Sequence, residues 1–236
     1  MNVIKNYKAA WEESFARGEN NILYPQTEVI RFLNRYICKR NNDESITRLI
    51  KTLNDRRPVG LDFACGVGTH CITFADFEVD GWGVDISQNA IQQAKRNALT
   101  RGLSRDRFIV LDADGQKLPF ENDHFDFVVA ESCLDSMSLN AAKNYISELK
   151  RVCNGVIYAS LIGADESMQS NEFEVQTAHE FGTYQTVFNE EKIASLFDSS
   201  ISNFSYFASI SYMDVQSEKV SSKRFYCVID AEKVNG

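Results

Sequence analysis

Proline is scarce in this chain, with 3 among 236 residues, and none lies in a Gly/Ser-rich stretch. Nothing therefore reads as a flexible linker between independent domains. The cysteines, Cys38, Cys65, Cys71, Cys133, Cys153 and Cys227, form no Cys-x-x-Cys pair and no cluster with histidine. A zinc site is unsupported, and the thiols read as reduced and mostly buried. No metal is expected. Positive charge is also short: 25 Lys and Arg against 33 Asp and Glu leave a net charge of −8. Such a surface repels phosphate backbones, which argues against a nucleic-acid partner. No apolar run approaches the length of a membrane span, and Met1–Asn6 lacks the apolar core of a signal peptide. The expectation is one cytoplasmic α/β domain without a membrane partner, and 44% apolar residues suffice for its core.

What the chain does have is concentrated between Gly60 and Ser87. An apolar strand, Gly60-Leu61-Asp62-Phe63-Ala64, runs into a turn with Gly66 and Gly68. A short helix follows, Thr69 to Ala75, and then a second strand, Trp82 to Ile86, containing Asp85. This is the first half of a doubly wound nucleotide-binding sheet. The glycines allow a sharp turn and close approach of the backbone to a ligand. The free N–H groups opening the helix favour a negative or polar ligand group. Asp85 can accept two hydrogen bonds from a ribose diol. The dinucleotide fingerprint requires a third glycine where Cys71 stands, so a pyrophosphate site is not supported.

The stretch resembles motif I of the class I S-adenosylmethionine-dependent methyltransferases, in their small-molecule branch. Asp62, Gly66, Gly68 and Asp85 match that motif. Ala64 departs from it, standing where the family usually has its first glycine, and the turn is expected to avoid positive φ there. The resemblance implies that the acids and the turn hold the methionine and ribose of S-adenosyl-L-methionine. It implies a Rossmann-like, doubly wound, seven-stranded, mostly parallel sheet with an antiparallel last strand.

A second match is Asp112-Ala113-Asp114-Gly115-Gln116-Lys117-Leu118-Pro119-Phe120, similar to the family's loop after the third strand. Register from Leu118-Pro119-Phe120 places Asp114 to accept from the adenine amine and the Gly115 N–H to donate to a ring nitrogen. Ile86 would give the ring an apolar face. An apolar strand, Phe125 to Ala130, leads to Glu131 and Asp135. Residues just beyond a central strand's carboxyl end line the cleft. Glu131 is assigned to the methionine end of the cofactor. Asp135 is the first candidate base, needed if the acceptor is a hydroxyl, and His179 the second. Both acids fit equally a solvated turn and a helix cap.

Residues 1–57 are expected to form a helical cap, and 58–236 the catalytic domain with a lid loop at about 163–188. In the cap, Tyr7, Trp11 and Phe15 form one stripe, Val29 to Ile37 another after Pro25, and Ser45 would open a third helix through Leu53. Packing is the expected role of Tyr7, Trp11 and Tyr24. Ser87, Ser138 and Asn189 are placed as helix caps. The reaction implied is methyl transfer to an O, N or C atom of a small soluble acceptor, releasing S-adenosyl-L-homocysteine. The alternatives are a non-catalytic S-adenosylmethionine-binding protein and a nicotinamide dehydrogenase lacking its third glycine.

Overall fold

The computed structural model describes residues 3–50, 56–112, 117–164, 171–214 and 219–231. The chain opens with α1 (Val3–Arg17) and α2 (Thr27–Phe32), which runs on through a π-helical turn, Leu33–Ile37. Pro25 precedes the Gln26 cap of α2. A small hairpin follows, β1 (Cys38–Arg40) and β2 (Ile46–Arg48). The third helix expected here is therefore corrected to a β-hairpin. Ser45 caps no helix: with Glu44 at φ 65°, it lies in the hairpin turn and donates to Asp43 at 2.6 Å.

The main unit alternates as expected: β3 (Val59–Phe63), α3 (Thr69–Asp76), β4 (Asp80–Asp85), α4 (Gln88–Thr100), β5 (Phe108–Val110), β6 (Phe125–Ala130), α5 (Leu139–Val152) and β7 (Cys153–Gly163). The remainder is β8 (Glu172–Glu174), β9 (Tyr184–Thr186), α6 (Glu190–Phe197), β10 (Tyr206–Asp214) and β11 (Lys219–Asp230). Local signals explain several boundaries. Ser87, Ser138 and Asn189 accept from Ala90, Ala141 and Lys192 N–H groups, satisfying donors that a helix leaves unpaired. Gly102 at φ +70° follows the end of α4.

Seven strands pair in the order β10-β11-β7-β6-β3-β4-β5. β11 is antiparallel to both neighbours, while β3 to β7 run parallel. The expected sheet, with its late antiparallel strand inserted beside β7, is the one observed. The chain runs outward from β3 to β4 and β5, then returns to β6 on the other side of β3. That reversal opens a crevice at the carboxyl ends of β3 and β6, where open α/β sheets bind ligands.

Two faces hold the sheet. On one, Ala142, Ile146 and Leu149 of α5 and Ile193, Leu196 and Phe197 of α6 bury against Leu61 and Val128. On the other, Val29, Phe32, Leu33 and Ile37 bury with Phe74 of α3 against Phe127 and Tyr158. The Phe32 ring centroid lies 5.2 Å from that of Tyr158 and 5.9 Å from that of Phe127. The second N-terminal stripe is thus core. Asp126, the one acid in the apolar run of β6, is 2% exposed and accepts from both terminal nitrogens of Arg56 at 2.6 Å and from Val59 N–H at 2.7 Å. It ties β6 to the start of β3. All six cysteines are free and buried.

Candidate active site

At the carboxyl edge of β3 the chain turns sharply through Ala64 (φ 57°), Gly66 (φ 52°) and Gly68 (φ 82°) into α3. The expectation that Ala64 avoids positive φ is corrected: it takes the left-handed conformation that a glycine would take at less strain. At Gly68, the N-cap of α3, a Cβ would stand 2.8 Å from the Phe108 ring and 3.0 Å from Ala94 Cβ. The turn is therefore packed from behind by β5 and α4. Gly66 and Val67 face forward into a cavity of about 550 Å³.

Asp85 ends β4 and lines this cavity. Its two oxygens accept from the Gly66 N–H at 2.9 Å and the Ser87 N–H at 2.8 Å. Burial pushes its carboxyl up to about 6 despite those two donors. Ile86 and Leu111 provide apolar wall beside it. Glu131, just past β6, lines the cavity and accepts from the Tyr158 hydroxyl at 2.7 Å and the Ser132 hydroxyl at 3.0 Å. Asp62 is 1% exposed and is not among the lining residues. Its carboxylate lies 3.4 Å from Nδ1 of His70, which does line the cavity. Gly68 likewise shapes the turn without lining the space. Asp114 and Gly115 lie outside the described residues.

At the other end of the cavity, Asp135 is 1% exposed, accepts from Ile162 N–H at 2.8 Å and lies 3.7 Å from the Arg224 guanidinium. Burial pushes it up to about 6, against the lowering pull of Arg224. Arg224, on β11, also donates to Ser132 Oγ at 2.9 Å. His179 lines the cavity with its side chain 61% exposed, 3.5 Å from Glu180. Asp135 is thus an interior, hydrogen-bonded acid, whereas His179 stands at the rim.

Residues of the first N-terminal stripe, Tyr7, Trp11 and Phe15, and the 84%-exposed Tyr24 all line the cavity. Hydrogen bonds at several points seat this segment. The Glu12 carboxylate accepts from the Gln88 and Asn89 N–H groups at 2.9 and 3.0 Å, at the start of α4. Thr69 Oγ1 donates to the Ile22 carbonyl. The Glu19 carboxylate accepts from the Glu180 N–H at 3.2 Å. The stretch from 163 to 188, expected to be irregular, carries the end of β7 and the hairpin β8–β9. Thr186 of β9 donates to the Asp135 carbonyl at 2.7 Å and to the Met137 carbonyl at 2.6 Å, and Tyr184 packs its ring 5.1 Å from Tyr7. Glu12, His70 and Arg224 were not singled out in sequence. Only His70 carried a signal, its place on the glycine turn.

The family model described as "Methyltransferase domain" matches residues 61–155, which span this strand, turn and crevice. This stretch of the chain is therefore similar to a methyltransferase domain. Among curated relatives, a protein of Haemophilus influenzae described as uncharacterized is 36% identical over 111 residues, 44% of each chain. A sterol 4-C-methyltransferase of Caenorhabditis elegans is 29% identical over 120 residues, 50% of this chain and 36% of the relative. The alignments thus span less than half the length of these relatives. Among solved structures, a methyltransferase from Methanosarcina mazei superposes with a TM-score of 0.60 at 22% identity, covering 77% of this chain and 95% of its own. The Burkholderia thailandensis 1,6-didemethyltoxoflavin-N1-methyltransferase reaches 0.66 at 14% identity, covering 96% of this chain and 87% of its own. The methyltransferase fold therefore extends over the N-terminal helices as well. Among the described residues, no helix is long and apolar enough to cross a membrane, and no three His, Cys, Asp or Glu side chains gather as a metal site.

Proposed function

We propose that this chain is an S-adenosylmethionine-dependent methyltransferase acting on a small soluble acceptor. The observation that carries this reading is Asp85: a buried carboxylate at the end of β4, anchored to the turn glycine Gly66, with its face on a large cavity. The residues present fit a nucleoside with an amino-acid tail. Each carboxylate oxygen of Asp85 has a lone pair beyond the one its backbone donor uses, enough to accept from a ribose diol. The strand order β5-β4-β3-β6 supports one direction for the ligand. Adenine would lie toward Ile86 and Leu111, ribose at Asp85, and the amino-acid tail toward Glu131.

When bound, the cofactor supplies an electrophilic methyl group on a sulfonium. The chain's own task is alignment and exclusion of water. Tyr7, Trp11 and Phe15 close the cavity from above, held there by Glu12. The acceptor would enter between this roof and the region of Asp135, Ser136 and Gln185. For a hydroxyl acceptor, Asp135 is the proposed base: its pKa of about 6 leaves it ionised at neutral pH yet basic enough to take a proton. His179 at the rim is the second. An apolar roof over a polar floor supports a small, partly aromatic acceptor. The Burkholderia neighbour, which shares the roofing helices, holds 1,6-didemethyltoxoflavin and S-adenosylhomocysteine. The test is calorimetric titration with S-adenosylhomocysteine of the wild type beside Asp85→Ala. Micromolar binding abolished by the substitution supports the reading, and no binding by the wild type overturns it.

A further inference from the structure

The start of α3 brings a histidine to the wall of the proposed cofactor cavity. His70 is the second residue of α3, lines the cavity, and has its side chain 14% exposed. Its Nδ1 lies on the Asp62 side, 3.4 Å from that carboxylate, so the ring nitrogen turned away from Asp62 is Nε2. Asp62 itself is sealed beneath the floor, where it also accepts from Cys71 Sγ at 3.7 Å. The acid at the end of β3 therefore acts on the cavity only through the imidazole in front of it.

The tail of the cofactor is a zwitterion, and its two ends need opposite partners. Glu131 faces the cavity as an acceptor suited to the ammonium. The carboxylate needs a cation or a cluster of donors. Arg224 is two strands farther along the sheet, on β11 beyond β7, and already serves Ser132 and Asp135. His70 lies directly after the turn, beside the first N–H groups of α3, whose N-cap Gly68 offers no side-chain acceptor.

We infer that His70, backed by Asp62, is the residue that binds the carboxylate of the cofactor's amino-acid tail through Nε2–H. The inference rests on the methyltransferase reading and deepens it. Two carboxylates face the imidazole, Asp62 on β3 and Glu131 past β6. Burial opposes its protonation, but these acids outweigh burial and raise its pKa above the ordinary histidine value. Asp62 thus works as a positioning residue. It orients the ring and favours the cationic form, leaving Glu131 free for the ammonium.

The test is calorimetric titration with two ligands. S-adenosylhomocysteine has the amino-acid tail, whereas 5′-methylthioadenosine carries the same nucleoside without it. For His70→Ala and the milder His70→Gln, S-adenosylhomocysteine affinity should fall roughly 10- to 100-fold, as expected for loss of a charged hydrogen bond, with methylthioadenosine affinity unchanged. The ratio of wild-type to His70→Gln affinity should shrink as pH rises through the imidazole's titration. Equal loss for both ligands would make His70 merely structural and overturn the inference, as would wild-type affinity in both variants. A ratio that grows with pH would overturn it in favour of neutral imidazole accepting from the ammonium. Failure of the wild type to bind either ligand would refute the cofactor reading and the inference with it.

Discussion

Asp85 lets function be read as a cost in stability. Its carboxyl titrates at about 6 in the fold, mainly through burial, against an ordinary value of 3.8. That shift of roughly two units corresponds to about 3 kcal/mol, at 1.36 kcal/mol per unit. The sign follows from proton counting. Between about pH 4 and 6 the folded chain holds a proton on Asp85 that the unfolded chain has lost, so stability falls as pH rises. The favourable state is fully present below the unfolded value and is lost as pH passes through about 6. Asp85→Asn removes this titration. Urea unfolding of both proteins at intervals from pH 4 to 8 should show the variant gaining about 2 kcal/mol on the wild type between pH 4 and 7, the rest of the shift lying below pH 4. Any constant offset, such as the weaker acceptance of an amide from the Gly66 and Ser87 N–H groups, cancels in that slope. Asp135, which also titrates at about 6, contributes equally to both proteins and cancels too. A flat difference, or one of opposite sign, would refute the claim that Asp85, the proposed ribose acceptor, is held ionised against its own desolvation.

Other substitutions probe the supports of the site. Glu12→Gln should weaken the seat of α1 on α4 by about 1 kcal/mol, read as faster hydrogen exchange confined to α1 with the sheet unaffected. Arg56→Ala strips the buried Asp126 of its guanidinium and should lower stability by about 2 kcal/mol in urea unfolding, with S-adenosylhomocysteine affinity unchanged. Tyr158→Phe removes the donor fixing Glu131 and should reduce S-adenosylhomocysteine affinity by about tenfold while the far-ultraviolet spectrum stays the same. Ala64→Gly relieves a left-handed residue and should raise stability by about 1 kcal/mol, measured by the urea midpoint.

The sheet was legible because its signals are local. The strand–glycine–helix unit, the capping residues Ser87, Ser138 and Asn189, and the apolar β6 each declare themselves within a few residues. The β1–β2 hairpin misled because Ile46, Leu49 and Ile50 fit helical spacing, and the competing signal, Asn41, Asp43 and Ser45 closing a turn, also resembles a helix cap. The roof was half legible. The stripe of Tyr7, Trp11 and Phe15 reads as apolar, but whether it meets core or cavity depends on Glu12 reaching the start of α4, a contact across more than seventy residues. Arg224 was illegible for the same reason: its place opposite Asp135 exists only because β11 inserts between β7 and β10.

Several locally unfavourable choices fall along the carboxyl edge of the sheet, where the proposed site lies. Ala64 and Ser132 hold φ of 57° and 51° just past β3 and β6, the two strands on either side of the chain's reversal. Asp62 near the end of β3, Asp85 at the end of β4 and Asp135 in the segment after β6 are buried acids, each 6% exposed or less. Strained non-glycine backbone and buried carboxylates persist where the surrounding structure over-determines them, and they cluster where a ligand makes use of them. The opposite end of the sheet offers a contrast. There the buried Asp126 is matched by Arg56 and a backbone donor, an arrangement that closes on itself. At the carboxyl end, Asp85 and Glu131 present acceptors to an open cavity. Substitutions at the closed end should therefore change stability without affinity, and those at the open end affinity with little loss, or even a gain, of stability.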